Sequence, residues 1–174
     1  LLGWPPGTLL QRLFSGEAWE LASIGAISSE EHWARVGAEL EDRLPPDFRS
    51  FKGNPFYLEE INEEVVALAR RLRHRCRLAL CSNALPSMAD LLETLPEIKG
   101  LFDVIVISAL VGLRKPDPRI FELTAERLGL PLEACLLVDD KERNVRAAES
   151  LGMPTVLFRS PAQLETALRA HRLI

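Results

Sequence analysis

Three short apolar segments of the chain are each followed by polar residues that could carry out chemistry. The first segment ends in Ser82 and Asn83, the second leads to Lys115, and the third ends in the adjacent acids Asp139 and Asp140. Two neighbouring carboxylates repel each other and each raises the pKa of its neighbour, so such a pair favours a bound cation. Together the three segments supply a hydroxyl, an amide, an amino group and two carboxylates, and these groups could form a polar reaction centre.

Each of these residues also has a purely structural explanation. Ser82 and Asn83 could cap the next turn, Lys115 could be an exposed loop charge, and Asp140 could be the N-cap of a helix. The elements that position the residues decide between the two explanations, because only residues that meet at one edge of a sheet can act together.

From Asn62 onward the sequence alternates between amphipathic helices and apolar strands. Asn62 and Asp117 are expected to cap helices, and Gly129 is expected to end one. Continuous apolar strands between such helices predict a doubly wound α/β fold, in which a parallel sheet is covered on both faces. Ligands of such sheets bind beyond the carboxyl ends of the strands, where all the polar segments are expected. The predicted strands are "CRLALCS", "FDVIVIS", "ACLLV" and "PTVLF".

The first third of the chain has a helical pattern without a convincing strand. Ser28 and Glu31 have the spacing of a capping box, and apolar residues then recur three and four positions apart. Trp19 and Trp33 fit the core of a small helical bundle better than a ligand pocket. This region is therefore predicted to be a helical domain.

These two patterns divide the chain into two domains. Residues 1–57 are predicted to form the helical domain and residues 58–174 the α/β domain. The stretch 44–56 is rich in proline and other turn-forming residues, so it is expected to connect them.

The composition argues against several classes of protein. With 174 residues, 47% of them hydrophobic, the chain can form a sizeable core, and no apolar run is long enough to span a membrane. The net charge of −4 argues against a dedicated nucleic-acid binder, and the basic run from Arg70 to Arg77 fits a solvated helix end better than an anion-binding patch. Three cysteines without a C-x-x-C pair are typical of free thiols. We expect a cytoplasmic protein whose partner is neither nucleic acid nor a membrane.

Three motifs resemble those of the haloacid dehalogenase-like superfamily. "LCSN" resembles its second motif, "GLRKPDPRIF" its third and "LVDDKERNVRAAESLGM" its fourth. The helical region resembles the small cap domain of the superfamily. "SGEAWELASIGAIS" is similar to the cap opening in the subgroup of bacterial sugar-phosphate phosphatases and of the phosphatase domain of epoxide hydrolases. The resemblance implies phosphoryl transfer from a small phosphorylated metabolite through an aspartyl-phosphate intermediate, assisted by Mg²⁺.

The resemblance also implies a role for each polar residue. A phosphate monoester is dianionic, so carboxylates that face it need an intervening cation, and Mg²⁺ commonly takes one or two carboxylates together with water and phosphate. Asp140 is expected to bind Mg²⁺ directly, and Asp139 either directly or through water. Lys115 would offset the charge of the phosphate and the nucleophile. Ser82 and the backbone around Asn83 would donate hydrogen bonds to phosphate oxygens.

The sequence lacks the nucleophile that the resemblance implies. In the superfamily this is the first aspartate of a D-x-D motif at the end of the first, central strand, and the second aspartate is the general acid and base. No D-x-D occurs in these 174 residues. Gly-Thr-Leu at residues 7–9 matches the sequence that usually follows the motif, but Trp4 and Pro6 occupy the positions of the two acids. Because two prolines are hard to place in a central strand, "WPPGTLL" is expected to be a turn that leads into a helix.

A strand is therefore expected to be missing from the middle of the sheet. In this topology the strand with the D-x-D motif lies between those that end at Ser82 and Val138. The motif would then lie upstream of Leu1, in sequence that the chain does not include.

Three functional hypotheses remain open. In the first, the complete protein is a Mg²⁺-dependent phosphatase of small phosphorylated metabolites. In the second, a chain that begins at Leu1 is catalytically inactive and serves as a binding or regulatory module. The third, a 2-haloacid dehalogenase, is less favoured because that reaction needs no metal and gives a pair of metal-binding acids no purpose. A Ser-His-Asp arrangement lacks a suitable base, because His32, His74 and His171 are expected on helix faces or at helix ends.

Overall fold

The computed structural model of the protein describes residue 5, residues 7–40 and residues 61–174. The predicted domain boundary at residues 57 and 58 and the predicted connection 44–56 both lie outside the described residues. Within the described ranges the order of elements follows the predicted pattern of helices first and then alternating strands and helices. No described helix is both long enough and apolar enough to cross a membrane.

Three helices form the first part of the described chain: α1 Thr8–Leu13, α2 Gly16–Ala22 and α3 Ser29–Leu40. The turn before α1 is closed by a hydrogen bond from the Thr8 amide to the Pro5 carbonyl, so "GTLL" begins a helix as expected. The Ser28 hydroxyl accepts a hydrogen bond from the Glu31 amide at 3.1 Å, which confirms the predicted cap of α3.

The helical part is held together by aromatic packing. The Phe14 ring meets those of Trp19 and Trp33 edge-on, with centroids 5.0 and 6.3 Å apart. Trp19 and Ala22 are buried in a cluster that also contains Leu85 from the α/β part. The two tryptophans therefore belong to a packed core, as the sequence predicted, and this core continues into the α/β part.

His32 lies on the buried face of α3 and is not exposed at the surface. Its ring is fully buried between Trp19 and Trp33. Burial lowers the pKa of His32, and the carbonyls of Leu13 and Ala18 oppose this shift. Neither carbonyl has hydrogen-bonding geometry, so both ring nitrogens lack a partner among the described residues. The ring is therefore held as a neutral, aromatic core group.

Two pairs of parallel strands, six α-helices and a short 3-10 helix, Leu132–Ala134, make up the α/β part within residues 61–174. The strands of the first pair, β1 and β2, match along their whole length, from Ala79 opposite Val104 to Ser82 opposite Ile107. In the second pair Asp139, at the end of β3, is opposite Leu157 of β4. The elements are α4 Glu63–Leu72, β1 Ala79–Ser82, α5 Ser87–Thr94, β2 Val104–Ile107, α6 Ser108–Val111, α7 Pro118–Leu128, β3 Leu137–Asp139, α8 Glu142–Glu149, β4 Thr155–Leu157 and α9 Pro161–Ala170.

Local sequence sets the ends of the helices. The Asn62 side chain accepts a hydrogen bond from the Val65 amide at 3.1 Å and caps α4. Asp117 caps α7 through the Arg119 amide, and Gly129 ends that helix with a left-handed φ of 67°. All three predictions are confirmed.

The two strand pairs are separate within the described residues, because neither β1 nor β2 pairs with β3 or β4 there. Each strand is also shorter than its apolar segment. A cavity of about 890 Å³ has residues of both β1 and β3 in its wall, including Leu80 and Val138, together with apolar residues of α4, α7 and α9. The arrangement agrees with the prediction of a sheet without its middle strand.

Buried apolar residues fix the helices on each strand pair. One cluster joins Val106 of β2 to Ile120 and Phe121 of α7 and to Ala148 of α8. Another joins α4, β4 and α9 and includes the fully buried Leu168. Fully burying one side chain the size of valine, leucine, isoleucine or phenylalanine contributes roughly 1.5–3 kcal/mol to stability.

The basic run before β1 is used in surface contacts. Arg71 forms an ion pair with Glu165 at 2.9 Å, Arg73 pairs with Asp103, and Arg77 donates to the Leu128 carbonyl. These contacts tie the end of α4 to its neighbours. The run is therefore a helix end with structural partners, as the sequence favoured. The three cysteines are free thiols.

Candidate functional site

The carboxyl end of β1 positions the loop that carries Lys115. The Asn83 amide group donates to the Lys115 carbonyl and accepts from the Lys115 amide, both at 2.8 Å. A side-chain amide that pairs with both backbone groups of one residue fixes that residue as a neighbouring strand would. Asn83 therefore contributes to the site through its side chain, by holding Lys115.

The fully buried Ser108 fixes the chain that follows β1. Its hydroxyl accepts a hydrogen bond from the Ala84 amide at 3.0 Å and donates to the Ala84 carbonyl at 3.3 Å. Ser108 is the first residue of α6, so these bonds tie the chain after β1 to the chain after β2. The sequence prediction did not include Ser108, whose position at the end of the second apolar segment was the available signal.

Lys115 and Asp139 form a buried ion pair between the two halves of the sheet. The Lys115 Nζ atom donates to Asp139 Oδ2 at 2.7 Å, and the side chains are 13% and 3% exposed, respectively. Lys115 reaches this position from the loop after β2, and Asp139 is the last residue of β3. The structure thus brings together residues that are 24 positions apart in sequence.

Asp139 is held as a carboxylate by three donors. Its Oδ1 atom accepts from the Lys141 amide at 2.8 Å and from Asn144 Nδ2 at 2.9 Å. Burial is the largest single influence and raises the pKa of Asp139, but attraction to Lys115 and the hydrogen bonds from Lys115, Lys141 and Asn144 together hold the pKa below its ordinary value. Asp139 is consequently ionised at neutral pH.

Asn144 is a site residue that the sequence prediction missed. It lies in the first turns of α8, five residues after Asp139, and is 3% exposed. Its Nδ2 atom binds Asp139, while its Oδ1 atom is buried without a hydrogen-bond partner among the described residues. The signal was an asparagine on the apolar face of an amphipathic helix, next to Val145 and one turn before Ala148.

Asp140 points in a different direction from Asp139. Its side chain is 59% exposed and pairs with Lys141 at 2.7 Å. An exposed ion pair of this kind contributes little stability, so Asp140 is accessible to a cation from solvent. The adjacent acids therefore differ: both oxygens of Asp139 accept hydrogen bonds from the protein, whereas Asp140 is available.

Ser82 ends β1 with a hydroxyl that makes no hydrogen bond to any described residue. Cys81, the residue before it, is the other side chain of β1 with possible reactivity. Burial is the main cause that raises the pKa of the Cys81 thiol, and attraction to Lys115 only partly opposes it. Cys81 is thus held as a thiol, which is a poor nucleophile.

The donor set fits Mg²⁺ only in part. Among the described residues no three His, Cys, Asp or Glu side chains lie close enough to surround a metal ion. Asp140 and Asp139 are oxygen donors at one strand end, and Mg²⁺ often takes only one or two carboxylates, with water and substrate phosphate as its other ligands. The residues present therefore fit an incomplete Mg²⁺ site that needs further oxygen ligands.

The helical part packs directly on this edge of the sheet. An ideal Cβ atom built on Gly25 would lie 2.5 Å from the Ala109 carbonyl oxygen, and Gly25 has a φ of 73°. The Trp19 cluster includes Leu85, which follows β1. Residues of α2 and of the turn after it consequently lie next to the loops that carry Asn83 and Lys115.

The chain matches known proteins over most of its length. The family model described as haloacid dehalogenase-like hydrolase matches residues 11–152. Phosphatase MT3486 of Mycobacterium tuberculosis is 36% identical over 133 residues, which cover 75% of this chain and 58% of the phosphatase. This chain spans less than two thirds of that relative, and 7% and 13% of two larger curated proteins that it also matches.

Solved structures give the same fold. A HAD-like family hydrolase from Porphyromonas gingivalis matches with a TM-score of 0.72 and 26% identity, covering 92% of this chain and 82% of the other. A HAD family enzyme from Bacteroides thetaiotaomicron, crystallised with magnesium and inorganic phosphate, matches with a TM-score of 0.69 and 20% identity over 87% of this chain and 79% of its own. The α/β core with parallel strands and a helical cap, the sequence match over residues 11–152 and the structural matches agree, and the chain belongs to the haloacid dehalogenase-like hydrolases.

Proposed function

We propose that the complete protein is a Mg²⁺-dependent phosphatase of small phosphorylated metabolites. The observation that carries this proposal is the buried Lys115–Asp139 pair, which places a cation and a carboxylate at the carboxyl ends of the strands beside the accessible Asp140. The similarity to a mycobacterial phosphatase supports the same class of reaction.

The residues present would bind and neutralise a phosphate dianion. The Lys115 ammonium group has three hydrogens, of which one is used on Asp139, so the remaining donors can meet phosphate oxygens. The free Ser82 hydroxyl can donate one further hydrogen bond. Asn83 would keep Lys115 in position while charge develops on the phosphate.

Asp140 would be the direct ligand of Mg²⁺, and Asp139 would orient the site around it. Asp139 already accepts hydrogen bonds on both oxygens, so a water-mediated contact suits it better than direct ligation. When bound, Mg²⁺ would offset the negative charge of the phosphate and of the attacking carboxylate.

The nucleophile would come from a further strand between β1 and β3. The facing edges of both strands are unpaired among the described residues, and the cavity that they share is lined mainly by apolar side chains. A strand in that place would gain backbone partners on both sides and bury an apolar core, and its carboxyl end would lie next to Lys115. An aspartate there is the acid that the site needs for an aspartyl-phosphate intermediate.

The sequence immediately upstream of Leu1 provides the first test of this proposal. An apolar run that ends in D-x-D supports the enzyme. A start codon beside Leu1 would instead leave the binding or regulatory module as the better hypothesis.

Activity of the complete protein provides the second test, with p-nitrophenyl phosphate as substrate. We expect turnover that requires Mg²⁺ and falls by about 10²-fold or more in Asp140→Ala, because one carboxylate ligand is lost. Glu126→Ala removes an exposed acid of α7 and is the matched control, for which wild-type turnover is expected. Equal turnover in the two variants would refute the role of Asp140. Metal-independent release of halide from 2-chloropropionate would favour the dehalogenase.

A further inference from the structure

Arg114 differs from the other arginines within residues 7–40 and 61–174. It is partly shielded from solvent, yet its guanidinium makes no hydrogen bond or ion pair there. Arg75, Arg127, Arg143, Arg159 and Arg172 also have no such partner, but all of them are exposed to water. Shielding a charge from water costs free energy unless an opposite charge or a hydrogen-bond acceptor compensates. The position of Arg114 therefore needs an explanation.

The residues on either side of Arg114 in sequence contact the strand ends and the helical part. It directly precedes Lys115, whose backbone is fixed by Asn83. Two residues before Arg114 is Gly112. An ideal Cβ atom built on Gly112 would lie 4.0 Å from the carbonyl oxygen of Ile24, in the turn after α2. The contact between this loop and the cap therefore extends to within two residues of Arg114.

Charges of both signs lie around Arg114. Partial burial lowers the pKa of Arg114, the carboxylate of Glu20 on α2 opposes this shift, and the guanidinium of Arg143 on α8 adds to it. Glu20 is too far away for an ion pair, since none joins it to any described residue. Arg143 lies in the first turn of α8, four residues after Asp139. Arg114 follows β2 and Arg143 follows β3, so both come from the strand-end edge, and no described carboxylate forms an ion pair with either guanidinium.

Building on the proposed phosphatase function, we propose that Arg114, assisted by Arg143, binds a second anionic group of the substrate. The substrates are then phosphomonoesters that carry an additional carboxylate or phosphate, with the reacting phosphate at Lys115 and Ser82 and the second anion under the cap. A guanidinium binds a carboxylate or phosphate through paired N–H donors, which gives both attraction and orientation. Arg114 is a specificity-determining residue in this arrangement.

Binding of two phosphonates tests this inference without any turnover. Phosphonoacetate carries a phosphonate and a carboxylate, whereas ethylphosphonate carries the phosphonate alone. We expect calorimetry on the complete protein with Mg²⁺ to show at least tenfold tighter binding of phosphonoacetate than of ethylphosphonate. Charge-assisted hydrogen bonds to the carboxylate lower the dissociation constant by about that factor. In Arg114→Gln the ratio should fall to about one, while the affinity for ethylphosphonate stays within about twofold of wild type.

Two further variants complete the experiment. Arg75→Gln removes an exposed, unpaired arginine before β1, at the opposite end of the strand, and should retain the wild-type ratio. Arg143→Gln should lower the ratio part of the way. It also serves as the test if Arg114→Gln does not fold, because Arg143 is exposed and its replacement disturbs no packing.

The outcomes separate this inference from the proposed function. Equal affinities for the two phosphonates in the wild type, or an unchanged ratio in the Arg114 and Arg143 variants, would overturn it. An equal loss of both affinities in Arg114→Gln would do the same, because it would place Arg114 at the reacting phosphate. If the phosphonates bind as expected but no phosphomonoester is hydrolysed, the anion site stands and the phosphatase reaction fails.

Discussion

At the scale of single residues, the adjacent acids Asp139 and Asp140 have different environments and therefore different roles. Asp139 is buried and accepts hydrogen bonds from a lysine, a backbone amide and an asparagine, whereas Asp140 is exposed to solvent. The sequence could supply the pair and its position at a strand end. It could not supply the difference, because that depends on Lys115 and Asn144 arriving from other elements.

The environment of Asp139 predicts a pH dependence of stability. Because its folded-state pKa lies below the ordinary value, ionised Asp139 favours the folded state at every pH above the unfolded-state pKa of about 3.9. This contribution is lost as the pH falls from there through the folded-state pKa. Urea unfolding of the wild type between pH 7 and pH 3 should show the loss, and Asp139→Asn should lack this part of the pH dependence.

At pH 7 the same substitution should also lower stability. Asp139→Asn leaves the Lys115 ammonium group buried without its carboxylate, which costs about 3–5 kcal/mol in the free energy of unfolding. Asp140→Asn changes only an exposed pair and should cost less than about 1 kcal/mol. Similar losses in the two variants would contradict the assignment of the buried role to Asp139.

Asn83 offers a second prediction at the residue scale. Asn83→Ala removes both hydrogen bonds to the Lys115 backbone, which costs about 1–3 kcal/mol. If the complete protein is the proposed phosphatase, its kcat should also fall because Lys115 is no longer held. Asn62→Ala is the matched control, since it removes a helix cap worth about 1 kcal/mol far from the site. Unchanged kcat in Asn83→Ala would show that the pairing serves the fold alone.

At the scale of elements, caps and turns followed from local sequence, whereas contacts between elements distant in sequence did not. Ser28, Asn62 and Asp117 cap helices where their residue types and spacing indicated. His32 illustrates the opposite case, because its helical position was evident from the sequence but its burial between Trp19 and Trp33 was not. Burial of this ring depends on how helices separated in sequence pack together.

The contact between the helical cap and the α/β part depends on Gly25. Gly25→Ala would place a methyl group 2.5 Å from the Ala109 carbonyl oxygen, so the cap must shift, and alanine also disfavours a φ of 73°. Gly16→Ala is the matched control, because Gly16 has a φ of 80° but nothing within 4 Å of the added methyl group. Thermal unfolding should show a loss of about 1–2 kcal/mol in Gly16→Ala and a larger loss in Gly25→Ala. Equal losses would mean that the close contact with Ala109 is not tight in solution.

At the scale of the whole molecule, the alternation of helices and strands was sufficient to predict the α/β fold and the edge at which polar residues meet. The sequence also indicated that a strand was missing between the strands that end at Ser82 and Val138. The sequence could not predict the shape of the cavity between these strands. Its wall is formed by residues of β1 and β3 and by side chains of the helices that cover them. That shape depends on tertiary packing of α4, α7 and α9, which no local pattern encodes.

The divided sheet links the chemistry of this protein to its folding. Leu68, Leu164 and Leu168 belong to one packed cluster, Phe121 and Leu137 belong to another, and all five side chains also reach the wall of the shared cavity. A segment that fills this cavity would therefore join two hydrophobic cores into one. Both sets of core contacts would then contribute to a single cooperative unfolding transition. Replacing an apolar residue of the inserted segment with a smaller one would therefore destabilise the fold and displace the reaction centre at the same time.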